Sequence, residues 1–355
     1  MSQALRIGDR LVGEGQPVFV IAEAGCNHEN DGERAHEMIA AAAAAGADAI
    51  KFQSFTPDTL VTRDAPKFWD IPGPGASQYE EFSTIQPSFS RAQYQAFCTA
   101  ARQAGILWFS TPCDEAWTDE LEALGVPLFK IASMDLTHLP LLRHVAKKGK
   151  PIILSTGASE IDEIHEAVAA IRGAGNDQIV LLHCVSTYPT QPESVNLGMM
   201  HGLKRAFPEC VIGYSDHTLP TGRWEIPALA VAAGARVIEK HFTFDRTRPG
   251  YDHALSVDYD GLKRMVASFR EIERILGTDE KRPVGCETRA RRFGRRSLVA
   301  ARDIRPGEPI RPDMVAIKRP GTGIAPKQLD CLIGKVASRA IRQDDVLTWD
   351  LVGEA

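Results

Sequence analysis

Short apolar runs rich in β-branched residues recur from about residue 18 to residue 242, and longer stretches with apolar positions every three or four residues separate them. The short runs predict buried parallel strands and the longer stretches amphipathic crossover helices. Strands are expected at Val18–Ala24, Ala49–Phe55, Ile106–Thr111, Leu128–Ser133, Pro151–Thr156, Ile179–Val185, Val211–Ser215 and Val237–Phe242. Helices are expected at Asp31–Ala45, Arg91–Ala104, Glu115–Leu124, Leu139–Lys147, Glu160–Arg172, Leu197–Ala206, Glu225–Ala233 and Tyr259–Leu276. A doubly wound open sheet also alternates in this way. Eight units with polar residues at almost every strand end favour an α/β fold of the (β/α)8 TIM-barrel type.

Two regions break the rhythm. Thr56–Ser90 is a long insertion after the second strand, with prolines at 57, 66, 72, 74 and 87, and loops of this length are usually lids or binding loops. Ahead of the first strand, Leu5–Ile7 and Arg10–Val12 flank a Gly8-Asp9 turn and predict a hairpin able to plug the bottom of a barrel. After Gly277 the pattern changes. The expected organisation is a catalytic barrel over 1–277, a polar linker over 278–296 and a small β-rich module over 297–355, too small to carry much core of its own.

Composition narrows the function classes. The formal charge of −5 gives the whole chain no attraction to nucleic acid or an anionic membrane, and the basic run Arg289–Arg296 reads as a solvated linker face. No apolar run approaches the ~20 residues of a membrane span, and Met1–Arg10 lacks a signal-peptide core, so a cytoplasmic protein is expected. The cysteines number seven with no Cys-x-x-Cys pair, which argues against a disulfide framework. Cys26, Cys113 and Cys184 lie near strand ends, where burial is the simpler reading than nucleophilic catalysis.

A barrel of this kind carries its chemistry at the C-terminal ends of its strands. Those ends carry Glu23, Lys51 with Gln53, Thr111, Lys130 with Ser133 and Asp135, Ser155, Ser186 with Tyr188, Ser215 with His217, and Glu239 with His241. Lysines in apolar strands are costly without an anion, so Lys51 and Lys130 among hydroxyls suit a phosphate or carboxylate ligand. Pairing with a barrel carboxylate is the plainer alternative, and a Schiff-base lysine a further one. His217 and His241 could bind a divalent transition metal, with Glu239 on the same strand face as His241. Two histidines alone are weak evidence for a metal.

These residues fall in motifs that resemble the sialic acid synthase family, which makes N-acetylneuraminate, legionaminate and pseudaminate. The resemblance rests on Ile21-Ala22-Glu23-Ala24-Gly25-Cys26-Asn27-His28, Ile50-Lys51-Phe52-Gln53, Phe109-Ser110-Thr111-Pro112, Phe129-Lys130-Ile131-Ala132-Ser133 and Ile153-Leu154-Ser155-Thr156-Gly157. It continues through Leu182-His183-Cys184, Tyr188-Pro189-Thr190, Gly213-Tyr214-Ser215-Asp216-His217-Thr218 and Ile238-Glu239-Lys240-His241-Phe242-Thr243. The C-terminal module resembles the family's antifreeze-like (SAF) domain through Arg296–Ala300, Asp303–Glu308 and Lys318-Arg319-Pro320-Gly321-Thr322-Gly323-Ile324.

The resemblance implies a transferase that condenses phosphoenolpyruvate with an N-acetylmannosamine-type amino sugar, adds water and releases phosphate. It implies Lys51, Thr111, Lys130, Ser133, Ser155, Ser186 and Ser215 as phosphoenolpyruvate contacts, and His217 and His241 as ligands of a divalent metal, Mn2+ first with Mg2+ or Co2+ as alternatives. Gln53, Tyr188, Asp252 and Arg319 fall to the sugar. Glu23, Asp135 and Glu239 are candidate catalytic carboxylates. The family further implies a domain-swapped homodimer in which Arg319 completes the partner's site. Asp135 stands where relatives have Glu, Ser186 where Asn is common and Asn30 where Gly is frequent, departures that bear on the sugar. Legionaminate or pseudaminate synthesis, a pyruvate aldolase and a non-catalytic carbohydrate-binding or ice-binding protein are the other readings.

Overall fold

The structure is a computed structural model and describes residues 4–69, 73–220, 226–250 and 252–354. The chain divides into two compact units, Met1–Gly277 and Thr278–Ala355. Pro72 of the insertion, Glu225 at the start of an expected helix and Tyr251 of the loop before Asp252 lie outside the described residues.

In the first unit, β1 (Leu5–Ile7) and β2 (Arg10–Val12) form an antiparallel hairpin. Eight parallel strands follow: β3 (Phe19–Gly25), β4 (Ala49–Ser54), β5 (Leu107–Pro112), β6 (Phe129–Ile131), β7 (Ile152–Ser155), β8 (Ile179–His183), β9 (Val211–Asp216) and β10 (Val237–His241). Their order is β5-β4-β3-β10-β9-β8-β7-β6, so β10 returns to pair with β3. β5 and β6 lie side by side at the seam without a ladder between them, which leaves the barrel nearly closed.

Every residue of β3 is buried, as expected of a strand covered by side chains inside the barrel and by helices outside it. The outer layer consists of α1 (Gly32–Ala44), the short α2 (Pro57–Leu60), α3 (Gln78–Ile85), α4 (Arg91–Ala104), α5 (Glu115–Ala123), α6 (Leu139–Ala146), α7 (Ile161–Gly173), α8 (Gly198–Ala206), α9 (Ile226–Ala232) and α10 (Tyr259–Leu276). Their ends follow local chemistry. The Asp31 carboxylate caps α1 by accepting from the Glu33 and Arg34 amides, and Gly105 ends α4 at φ +73°, which a residue without Cβ adopts at little cost.

Ile7 and Val12 of the hairpin are fully buried in the barrel core. Arg10 reaches Asp48, just ahead of β4, at 2.7 Å and the carbonyl of Gly105, just ahead of β5, at 3.4 Å. These contacts place the hairpin at the N-terminal ends of the strands, opposite the polar ends that carry the candidate chemistry.

Strand six is shorter than its apolar run predicts. It stops at Ile131, and Ser133–Asp135 forms a single 3-10 turn, so Ser133 and Asp135 enter from a turn rather than from a ladder.

Thr278–Ala355 opens with a polar segment that contains α11 (Thr288–Gly294), so the stretch expected to be a plain linker holds a helix. Its arginines are exposed. β11 (Ser297–Ala300) pairs with β12 (Val315–Lys318), α12 (Leu329–Leu332) follows, and β13 (Val336–Ala337) pairs with β14 (Val352–Gly353), which the sequence pattern did not mark. Leu298, Ile304, Met314, Leu332 and Leu347 belong to its separate small core.

Candidate active site

The C-terminal ends of the barrel strands open into a cavity of about 580 Å3. Its floor is ionic. Lys51 Nζ lies 2.8 Å from Glu23 Oε2 and 3.7 Å from Glu239 Oε1, and donates to Thr111 Oγ1 at 3.1 Å. Lys51 and Gln53 point the same way along β4, and Gln53 Nε2 donates to Glu23 Oε1 at 3.0 Å. Lys130 is less satisfied: it donates to its neighbouring carbonyl, Ile131 O, and its carboxylate contact, Glu239 Oε1, is 4.0 Å away.

Burial and charge separate the carboxyls. Burial raises Glu23 to about 7 against the pull of the Lys51 ammonium, so at neutral pH it both gives and takes a proton. Burial also pushes Glu239 up, but Lys130, Lys51 and His217 outweigh it and hold this carboxyl below its ordinary value. Glu239 stays ionised and accepts from Ser215 Oγ at 3.1 Å. Burial lifts Asp135 to about 6 against His138 and Lys130, and lifts Asp252 to about 6 with Lys51 opposing it. Burial lowers Lys130, whereas for Lys51 the same effect is overcome by Glu23 and Glu239, which hold it above its usual value.

A group of hydroxyls borders Lys130. Gly157 N donates to Ser133 Oγ at 3.0 Å, Ser133 Oγ meets Cys184 Sγ at 3.0 Å, and Ser186 Oγ is buried without a hydrogen-bond partner. Ser155 and Ser215 are buried on the same cavity wall. Gly157 is required by space: a Cβ there would come within 2.3 Å of Ser186 Oγ and 2.9 Å of Ser133 Oγ. The partnerless Ser186 hydroxyl and a half-satisfied ammonium, with further hydroxyls beside them, form a site for a polyoxygen anion.

His217 and His241 stand side by side, with ring centroids 5.4 Å apart and Tyr188 stacked 4.2 Å from His217. His217 Nδ1 donates to Val185 O at 2.8 Å, which leaves the Nε2 lone pair for a ligand. His241 Nδ1 is buried without a hydrogen bond, 3.4 Å from Asp252 Oδ2. Burial lowers His217 to about 4 and His241 well below its ordinary value, so both imidazoles are neutral, the form that binds metal. Behind them Lys240 pairs with Asp216 at 2.5 Å, joining β10 to β9. Among the described residues no group of three or more His, Cys, Asp or Glu side chains forms a closed cage. Two neutral imidazoles are the chemistry a divalent transition metal takes as ligands, and no third such side chain joins them among the described residues.

The cavity gathers all the sequence-derived candidates except Arg319, which lies exposed in the second unit. Cys26 and Cys184 are buried and Cys113 partly so, and burial raises all three thiols, which removes them as nucleophiles. The insertion, expected to be a lid or binding loop, does reach the cavity, but the pattern singled out none of the residues it contributes. Leu60, Val61, Phe68, Trp69, Phe82 and Ile85, all from the 56–90 insertion, line the cavity. Phe68-Trp69 within a proline-rich loop was the available signal.

Comparison with known proteins completes the picture. The model of the NeuB family matches residues 38–281, and that of the SAF domain matches residues 295–353. The chain belongs to the NeuB family. Among its NeuB relatives, N,N'-diacetyllegionaminic acid synthase of Legionella pneumophila is 39% identical over 95% of this chain and 95% of that protein. Human N-acetylneuraminate-9-phosphate synthase is 34% identical over 97% of this chain and 95% of that protein. The crystal structure of N-acetylneuraminic acid synthetase from Leptospira borgpetersenii superposes with a TM-score of 0.74 at 36% identity, covering 81% of this chain and 95% of that one.

A buried histidine in the same strand motif as Glu23 reports on folding. His28, at the end of the β3 strand motif, is fully buried with its ring 5.1 Å from Phe52 and 4.8 Å from Phe89, and burial lowers it to about 4. The unfolded chain takes up this proton near pH 6.5, so the stability is present above that value and is lost as pH falls toward 4. Between pH 7 and pH 5 the histidine should account for a loss of about 2 kcal/mol. Urea unfolding of wild type and His28→Gln at both pH values measures it; parallel losses would contradict it.

Proposed function

We propose that this NeuB-family protein is an enzyme that condenses phosphoenolpyruvate with an unphosphorylated 2-acetamido mannose-type aldehyde to form a nonulosonic acid. The observation that carries the reading is the juxtaposition of an anion site, Lys130 with the Ser133 and Ser186 hydroxyls, and two neutral imidazoles across one cavity. The number of hydroxyls argues for a phosphate beside a carboxylate, and free pyruvate, the substrate of an aldolase, brings the carboxylate alone.

In this reading Lys130, Lys51 and the serines hold the phosphate and carboxylate of phosphoenolpyruvate. C3 of phosphoenolpyruvate attacks the aldehyde carbon, and positive charge develops at C2. Glu239, kept ionised, faces that charge and stabilises it. Water adds to C2, one of its protons passes through Glu23 to the former aldehyde oxygen, and the C2–O bond to phosphate breaks as the remaining hydroxyl proton leaves with phosphate and C2 becomes a carbonyl. A divalent ion held by His217 and His241 would supply Lewis-acid polarisation of the acceptor's carbonyl oxygen. Gln53, Tyr188 and Asp252 border the space left for the sugar.

Among the described cavity-lining residues no second cluster of cations stands ready for a sugar phosphate, which favours the unphosphorylated acceptor. The cations among the described cavity-lining residues are Lys51 and Lys130, whereas Lys67 of the insertion is occupied by Glu81 at 2.6 Å. N-acetylmannosamine stands ahead of its 2,4-diacetamido-6-deoxy analogue. Phosphate release should be assayed with these two sugars, N-acetylmannosamine 6-phosphate and the altrose-type pseudaminate precursor. Turnover of N-acetylmannosamine above the rest is expected; selective use of the 6-phosphate or the altrose-type sugar would refute the acceptor.

A further inference from the structure

The insertion between β4 and α4 contains an internal brace. Glu81 of α3 is 5% exposed, in a roof that is otherwise largely apolar, and a buried carboxylate there is costly unless paired. Lys67 Nζ lies 2.6 Å from Glu81 Oε2, and the Trp69 indole donates to the same oxygen at 3.3 Å. Lys67 also donates to the carbonyls of Gly73 and Pro74, so one carboxylate ties both flanks of the loop to α3. The fit is close: a Cβ at Gly73 would meet Glu81 Oε1 at 2.4 Å.

The brace fixes an aromatic run. Phe55, buried at the end of the β4 motif, packs 5.4 Å from Phe82, Phe82 lies 5.6 Å from Trp69, and Trp69 lies 4.9 Å edge-on from Phe68. Phe68 is 51% exposed although it lines the cavity, an exposure that core packing does not explain. A rigid apolar wall opposite an ionic floor suits a ligand charged at one end and apolar at the other.

We propose that Trp69 and Phe82 form a subsite for an apolar substituent of the acceptor, an N-acyl methyl or a deoxygenated carbon, and that Glu81 is the positioning residue that holds this wall. The inference rests on the reading of the cavity as a condensation site for an amino sugar. It adds that the roof, rather than the ionic floor, discriminates acyl from unacylated acceptors.

The test compares mannose, N-acetylmannosamine and N-propanoylmannosamine in wild type, Trp69→Ala and Glu81→Gln, with hydrogen exchange over residues 57–85. Trp69→Ala should raise KM for the N-acyl sugars about tenfold or more beyond any change in KM for mannose, the scale of a lost apolar contact. Glu81→Gln should show the same split and faster exchange confined to the insertion. Equal KM changes for mannose and the N-acyl sugars overturn the subsite, and wild-type exchange in Glu81→Gln overturns the brace. Absence of turnover by wild type with every acceptor overturns the subsite together with the proposed reaction, while the exchange result still decides Glu81.

Discussion

Lys130→Met should lower kcat/KM for phosphoenolpyruvate by roughly two to three orders of magnitude, as expected when one partner of a buried charge pair is removed. The same variant should unfold near the wild-type temperature, because Lys51 and Ser215 still hold Glu239. Lys130 is 3% exposed, donates to a single carbonyl and stands 4.0 Å from its carboxylate partner, so its ammonium is held at the folded state's expense until an anion arrives. Lys51 behaves differently, because its removal strands Glu23 and forfeits a 2.8 Å ion pair. Lys51→Met should therefore lose both activity and stability. Parallel kinetics and thermal melts of the two variants separate these cases; a destabilised Lys130→Met would show that Lys130 is a structural cation.

Chelation should abolish turnover and Mn2+ should restore it. His217→Ala and His241→Ala should each lower the rate by more than about a hundredfold, exceeding the usual effect of losing an outer partner of a ligand. Both should also weaken Mn2+ binding read by electron paramagnetic resonance, which does not depend on turnover. The expectation follows from two neutral buried imidazoles, one with Nδ1 engaged by Val185 O. Undiminished turnover in a demonstrably metal-free preparation would remove the metal from the account.

The barrel was legible because short apolar runs, continuous where a strand is covered on both faces, alternate with amphipathic stretches. Lys51 with Gln53 and Glu239 with His241 could be assigned to one face before any coordinates, and they do face the cavity together. The ranking of the carboxylates was not legible. Glu23 and Glu239 occupy equivalent strand-end positions, and only their distances to Lys51 and Lys130 make one a proton carrier and the other a fixed charge. Ser133 read as the end of a strand because the apolar run continues past Ile131, whereas it opens the 3-10 turn that also carries Asp135.

The insertion was legible as a lid by length and prolines alone. Glu81 follows Glu80 with nothing in the sequence to set them apart, yet Glu80 caps its own helix while Glu81 is buried against Lys67 and Trp69. Such long-range pairings carry no periodic signal. The small second unit has the same difficulty at β14, two residues long and defined by pairing with β13.

Phosphoenolpyruvate labelled with 18O in the oxygen that bridges C2 and phosphorus tests the central claim most directly. Incubated with N-acetylmannosamine, the protein should release inorganic phosphate carrying the label, one equivalent for each nonulosonic acid detected by mass. Retention of the label in the sugar acid, or formation of the same product from free pyruvate without phosphate release, would contradict condensation with C–O cleavage.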